Sequence, residues 1–233
     1  MAKLTKKEEV RVMFDDISSR YDFLNHFLSF GIDKLWRKTV VKMVSRSKSR
    51  EILDVATGTG DLAMAMASLK PKKITGIDIS GQMLDVGRQK LIKAGLDGLI
   101  TFHKADAEQI PFPENSFDAV TVAFGVRNFE NLELGIREMR RVLRPGGSLF
   151  ILEFSHPESF PMKQLYAVYS RFIIPVFGRL ISGNSRAYSY LPESVALFPS
   201  GRKFVKVIEK QGLNDVGCHS LSMGIASIYY GRK

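Results

Sequence analysis

One run of eleven residues, Glu51-Ile-Leu-Asp-Val-Ala-Thr-Gly-Thr-Gly-Asp61, restricts this chain to few folds. Ile52, Leu53 and Val55 read as a short buried strand that breaks into a tight Thr-Gly-Thr-Gly loop. Asp61 is then placed to cap a helix from Leu62 to Leu69. Glycine has no Cβ, so a strand, a glycine turn and a helix N-terminus in succession let a ligand approach the backbone. That arrangement is the nucleotide-binding corner of an α/β sheet.

The loop by itself admits two ligands. Gly58-Thr-Gly60-Asp-Leu-Ala63 satisfies the G-x-G-x-x-G/A dinucleotide pattern, and Asp78, 18 residues past Gly60, stands where a ribose-binding acid belongs. An NAD enzyme is compatible with this. S-adenosyl-L-methionine (SAM) is the other reading, because it brings no pyrophosphate to neutralise. Asp54 inside the first strand and Asp61 at the helix start suit a ligand carrying positive charge better than one carrying two phosphates.

A chain of 233 residues with 45% hydrophobic composition can bury one sizeable core, so a single elaborated domain over 1–233 is expected. The lone Cys218 excludes an intramolecular disulfide framework and fits a reducing compartment. No apolar run is long enough to span a bilayer, and Met1 to Glu9 is charged and lysine-rich without a signal-peptide apolar region. A cytoplasmic protein is expected. The net charge of +10 is uneven: residues 1–50 carry 12 Lys and Arg against 6 acids, and 155–203 carry 6 against 2, whereas 51–154 carry 12 against 14. The two basic flanks also hold 14 of the 24 aromatic residues. Such surfaces suit nucleic acid or an anionic membrane face, or simply keep a protein soluble.

Val10, Met13, Phe14 and Ile17 recur at helical spacing between Lys6 and Arg20, a second helical stretch runs through Phe27, and Asp33 to Val44 forms a third. Tyr21-Asp-Phe-Leu-Asn25 is read as a polar and aromatic cluster between helices, placed to act as a lid or as a cap. Lys73 to Asp78 and Leu99 to Ala105 read as the second and third strands, the latter followed by Asp106-Ala107 at the equivalent sheet end. An acid there can accept from an adenine amino group. A fourth strand, Ala119 to Phe124, ends in Phe124-Gly-Val-Arg-Asn-Phe129, where Arg127 and Asn128 are candidates for handling substrate. Glu130 to Leu143 is helical, and Arg144-Pro-Gly-Gly147 turns it into the strand Ser148 to Phe154. Residues 155–203 interrupt the alternation as a helical insertion, whose apolar stretch Leu165 to Ile181 is broken by Arg171, Pro175 and Arg179. A final helix, Lys203 to Gln211, precedes strands at Leu213 to Leu221 and Ile225 to Tyr230.

The combination of Asp54 to Asp61, Asp78, Asp106-Ala107, Pro111-Phe-Pro-x-x-x-Phe-Asp118 and Arg141-Val-Leu-Arg-Pro-Gly-Gly147 resembles the class I SAM-dependent methyltransferases. Two longer segments, Tyr21-Asp-Phe-Leu-Asn-His-Phe-Leu-Ser29 with Trp36-Arg37, and Arg141 to Ser155, resemble the ubiquinone/menaquinone biosynthesis C-methyltransferases. Phe124-Gly-Val-Arg-Asn128 and Tyr188-Ser-Tyr-Leu-Pro-Glu-Ser194 extend that resemblance over nearly the whole chain. The family pattern usually has Met, His and Lys where this chain has Leu24, Asp33 and Arg144. Asp33 in place of histidine changes a charge and leaves that position without an assigned role.

The resemblance implies a Rossmann-like α/β fold: a mainly parallel seven-stranded sheet with a C-terminal antiparallel hairpin, N-terminal helices over 1–50, a SAM-binding core over 51–154, a substrate-side insertion over 155–203 and the closing helix and strands over 204–233. It implies SAM as cofactor, held by Asp54, Gly58, Thr59, Gly60, Asp78, Asp106 and Ala107. The implied substrate is a prenylated quinol, most simply demethylmenaquinol, with its benzoquinol counterpart as alternative. Tyr21, Asn128 and Tyr190 are the implied substrate contacts. A ring carbon becomes nucleophilic when the adjacent hydroxyl loses its proton. Arg127 is too basic to take that proton but suits stabilising the phenolate and orienting a water. His26, His103, His156 and His219 show no ligand spacing with Cys218 or nearby acids, so no metal is expected. Peripheral contact with an anionic membrane and a homodimer are compatible with the sequence, and no nucleic-acid partner is expected. An RNA methyltransferase using the basic flanks, a non-catalytic protein on the same fold and an NAD oxidoreductase are the competing readings.

Overall fold

The computed structural model describes residues 5–157, 160–168 and 185–233. Seven strands, β1 (Glu51–Val55), β2 (Lys73–Asp78), β3 (Ile100–Lys104), β4 (Phe117–Ala123), β5 (Leu143–Phe154), β6 (Asn214–Leu221) and β7 (Ala226–Arg232), form one sheet in the order β3-β2-β1-β4-β5-β7-β6. The first five pair in parallel, and β7 runs antiparallel between β5 and β6. Helices cover both faces, which is why β1 and β4 are buried along nearly their whole length rather than at alternate residues.

Before β1 lie α1 (Lys6–Ile17), α2 (Tyr21–Leu28) and α3 (Ile32–Val44). Between the strands lie α4 (Asp61–Met66), α5 (Gly81–Ala94) and α6 (Leu132–Val142), and after β5 come α7 (Met162–Val168), α8 (Ser185–Leu197) and α9 (Arg202–Lys210). On one face Ile136 and Met139 of α6 and Phe204 and Ile208 of α9 pack on Leu53, Val120 and Leu149. On the other, Val40 of α3, Leu62 of α4 and Leu84 of α5 pack on Ile52, Ile74 and Ala119. The topology therefore brings the C-terminal ends of β1 to β5 to one edge, the ligand-binding edge of such sheets.

Three local expectations change. Tyr21 to Asn25 does not link helices but begins α2, because Phe23 and Phe27 stack one turn apart with centroids 5.8 Å apart and 19° between planes. Asp61 is the first helical residue and not the cap: Gly60, in the left-handed region at φ 86°, occupies the cap position with no side chain to offer. Strand β5 begins at Leu143, since Arg144 to Gly147 form an irregularity within the strand, where the pairing jumps from Phe117 with Leu143 to Ala119 with Ser148. The described helices of the insertion are α7 and α8; residues 169–184, which include most of its apolar stretch, lie outside the described residues.

Candidate active site

Two cavities meet at the C-terminal edge of the sheet. The smaller, about 680 Å³ including its open mouth, is bounded by Ala56, Gly58, Asp78, Asp106, Ala107, Gly125 and Asn128 below and by Lys7, Val10, Phe14 and Tyr21 above. The larger, about 1490 Å³ on the same measure, is lined mostly by apolar groups, among them Met13, Ile17, Phe30, Trp36, Phe154, Leu165 and Leu191. Phe14, Tyr21 and Phe124 belong to both walls.

The smaller cavity is shaped by backbone. Ala56 at φ 50° and Gly58 at φ 57° bend the chain away from the end of β1. A Cβ at Gly125 would lie 2.6 Å from that of Ala56, so only glycine leaves this floor open. Asp78 ends β2, accepting from the amides of Gly58 and Ser80 at 2.8 Å each. Burial pushes its carboxyl up to about 6, although both amide bonds oppose the shift. Ser80 rather than Asp78 caps α5. Asp106 follows β3 and accepts from the amide of Glu108 at 2.9 Å and from Lys7 at 2.5 Å.

The described lining of this cavity includes four acids, Asp78, Asp106, Glu108 and Glu130, against the single cation Lys7. That balance fits a cationic ligand with hydroxyl and amino groups to donate. It opposes a pyrophosphate, which calls for donors and positive charge.

Gly58, Asp78, Asp106, Ala107 and Asn128 thus meet in the smaller cavity, Arg127 and Tyr190 in the larger, and Tyr21 between them. Asn128 and Tyr190 touch: the phenol donates to Oδ1 of Asn128 at 3.0 Å. Burial raises the phenols of Tyr21 and Tyr190 above their ordinary value, with the charge of Arg127 pulling the other way in both. Asp54, Thr59 and Gly60 stand behind the wall. Asp54 accepts from the hydroxyls of Thr57 and Thr121 at 2.7 and 2.6 Å and supports the loop from beneath, its carboxyl pushed up by burial to about 6. Thr59 donates to Asp22 at 2.5 Å, and Gly60 faces the ring of Phe102.

An ion-pair network absent from the sequence-based expectations ties α2, α3, α4 and α5 together. Lys90 bridges Asp22 at 2.7 Å and Asp61 at 2.5 Å, and Arg37 pairs with Asp33 and, at 3.7 Å, with Asp61. Burial opposes ionisation of Asp61, but the charges of Arg37 and Lys90 outweigh it and hold the carboxyl low. His26, 2.8 Å from Asp33, joins the network, so His26, Asp33 and Asp61 bring potential ligand atoms within 4.8 Å of one another. Arg37 and Lys90 already supply the positive charge there, which makes the group an ionic clasp between helices. Asp33, 3% exposed and bonded to Ser29 as well, is its centre. Neither Lys7 nor Glu153 stands out by spacing; a lone acid inside the apolar run Leu149 to Phe154 was the legible sign of the second.

The strand order, the glycine loop and an acid-rich cavity at the sheet edge define a SAM-dependent methyltransferase. The likeness to solved structures agrees at the level of fold: the [4+2]-cyclase SpnF superposes with TM-score 0.68 at 18% identity, covering 100% of this chain and 98% of that one. A SAM-dependent methyltransferase from Aquifex aeolicus gives 0.59 at 19% identity, over 82% and 88% of the two chains. The model of the ubiE/COQ5 methyltransferase family matches residues 2–233, and the chain belongs to that family. It is similar to a demethylmenaquinone methyltransferase of Bacteroides fragilis, 46% identical over 98% of this chain and 94% of that protein. It is also similar to the ubiquinone/menaquinone biosynthesis C-methyltransferase UbiE of Geotalea daltonii, 47% identical over 100% of both.

Proposed function

We propose that the protein transfers a methyl group from SAM to a ring carbon of a prenylated quinol, converting demethylmenaquinol to menaquinol. The observation that carries this is the large apolar cavity sharing the wall of Phe14, Tyr21 and Phe124 with the acid-rich one. A prenylated ring needs apolar walls with a few polar groups at one end, and Arg127 and Tyr190 stand among such walls.

SAM, when bound, supplies a methyl group already activated on its sulfonium. Asp78 is assigned to the ribose hydroxyls, and Asp106 with Ala107 to the adenine. Gly58, Thr59 and Gly60 shape the loop, and Asp54 holds it through Thr57. Tyr21, Asn128 and Tyr190 orient the quinol. Arg127 is assigned to the phenolate: its fixed positive charge lowers the cost of removing the hydroxyl proton, which a water carries away. The aromatic walls keep bulk water from the ring. The protein acts in the cytoplasm against an anionic membrane surface, a reading supported by the net charge of +10 and by the exposed apolar side chains of Leu35 and Leu165. No described helix is long and apolar enough to cross a membrane.

The test is mass spectrometry of the product after incubation with methyl-labelled SAM and chemically reduced, short-tailed demethylmenaquinone, with a benzoquinol in parallel. Label on the naphthoquinol ring carbon is expected. An unlabelled ring from protein that demonstrably binds SAM would reject the substrate.

A further inference from the structure

Glu153 ends the buried run of β5 with no exposed surface. A carboxylate so placed requires partners, and two of its three come from one residue. Oε1 accepts from Nη1 of Arg127 at 2.8 Å and from the amide of Phe154 at 2.9 Å, while Oε2 accepts from the backbone amide of Arg127 at 3.3 Å. Nη1 of Arg127 also donates to the carbonyl of Phe124 at 2.5 Å. Lys6 donates to the carbonyl of Phe129, at the end of the same turn, at 2.6 Å. The inward terminal nitrogen of Arg127 is therefore fully engaged. Its Nε is buried without a partner among the described residues, in a side chain that lines the apolar cavity.

We infer that Glu153 is a positioning residue for methyl transfer: it fixes which edge of the Arg127 guanidinium faces the quinol, and its charge offsets part of the arginine's field at the methyl donor. This rests on the role given to Arg127 above. One carboxylate holds both the backbone and the side chain of Arg127, and the guanidinium cannot turn without breaking both bonds of Nη1, to Glu153 and to the carbonyl of Phe124. The charge matters separately. An uncompensated arginine beside the wall of Tyr21 and Phe124 would repel a sulfonium, whereas S-adenosylhomocysteine, a neutral thioether, would not sense it.

Glu153→Gln preserves shape, removes the charge and turns an amide donor toward Arg127. Its kcat is expected to fall roughly tenfold or more with little change in KM for the quinol. Calorimetry, which requires no turnover, should show the ratio of SAM to S-adenosylhomocysteine affinity shifted several-fold toward the thioether. In an Arg127→Met background the same substitution should change neither quantity, because the guanidinium through which Glu153 acts is gone. Wild-type kcat and affinity ratio in Glu153→Gln would overturn the inference, as would an undiminished effect in the Arg127→Met background, which would make Glu153 a packing residue of β5. If Glu153→Gln alone does not fold, the double variant decides: it must match Arg127→Met in both readouts, and a further loss overturns the inference. Wild-type turnover in Arg127→Met would instead remove Arg127 from the reaction, while the affinity ratio of Glu153→Gln would still report on the charge offset.

Discussion

The ammonium of Lys7 lies 2.5 Å from the carboxylate of Asp106, so a residue of α1 occupies the acid that follows β3. Both side chains are nearly a third exposed, and such pairs contribute about 0.2–1 kcal/mol. Lys7 therefore competes weakly with any amino group that Asp106 receives from a ligand. Lys7→Met should tighten SAM binding by roughly two- to fivefold and lessen its dependence on salt. Titration calorimetry at two ionic strengths checks this; unchanged affinity would place the adenine elsewhere.

Asp78 gives binding a pH dependence of definite sign. Burial lifts its carboxyl from the ordinary 3.8 to about 6, so the folded protein takes up a proton more readily than the unfolded chain. Stability of the unliganded protein consequently falls as pH rises from about 4 through 6. Ribose hydroxyls need the ionised acceptor, so SAM affinity should fall as pH drops through 6, reaching roughly a tenth of its neutral value near pH 5. Asp78→Asn should bind weakly and without that slope. The variant is needed because Asp54 also stands at about 6.

Arg127→Ala should separate binding from chemistry. The residue lines the larger cavity alone, so SAM affinity should stay within about twofold while turnover drops on the order of a hundredfold. Single-turnover kinetics with saturating SAM give the measurement, and a normal rate would dismiss the residue.

Phe102 makes a prediction about stability. A Cβ built on Gly76 would lie 2.6 Å from the Phe102 ring, and one on Gly87 2.7 Å from it, while Gly60 also abuts it. Gly76→Ala should cost about 1–3 kcal/mol through overpacking, and Phe102→Leu in the same chain should recover part of it. Thermal melting of the single and double variants tests the pairing.

Much of this was readable from residue order, and the remainder has physical reasons. The glycine loop, Asp78 and Asp106 follow from local chain geometry, since each lies at or just past the end of a parallel strand and the ends of such strands share one edge. Gly60 was read as a ligand contact because glycine serves both loop and packing, and only Phe102, distant in sequence, reveals the second use. Asp61 looked like a helix cap because capping is local, whereas its partners Lys90 and Arg37 come from other helices. The cluster at Tyr21 to Asn25 hid a helix because its polar residues face the glycine loop and α5, as the bond of Asp22 to Lys90 shows.

Helix α1 contributes Lys7 and Val10 to one cavity, Met13 and Ile17 to the other, and Phe14 to both. On the proposed function, a water-borne nucleoside and a lipid-borne ring would thus lean on two shoulders of the same twelve-residue rod. A shift of that rod at one cavity moves a wall of the other, so on that reading arrival and departure at the two would be a conversation rather than two monologues.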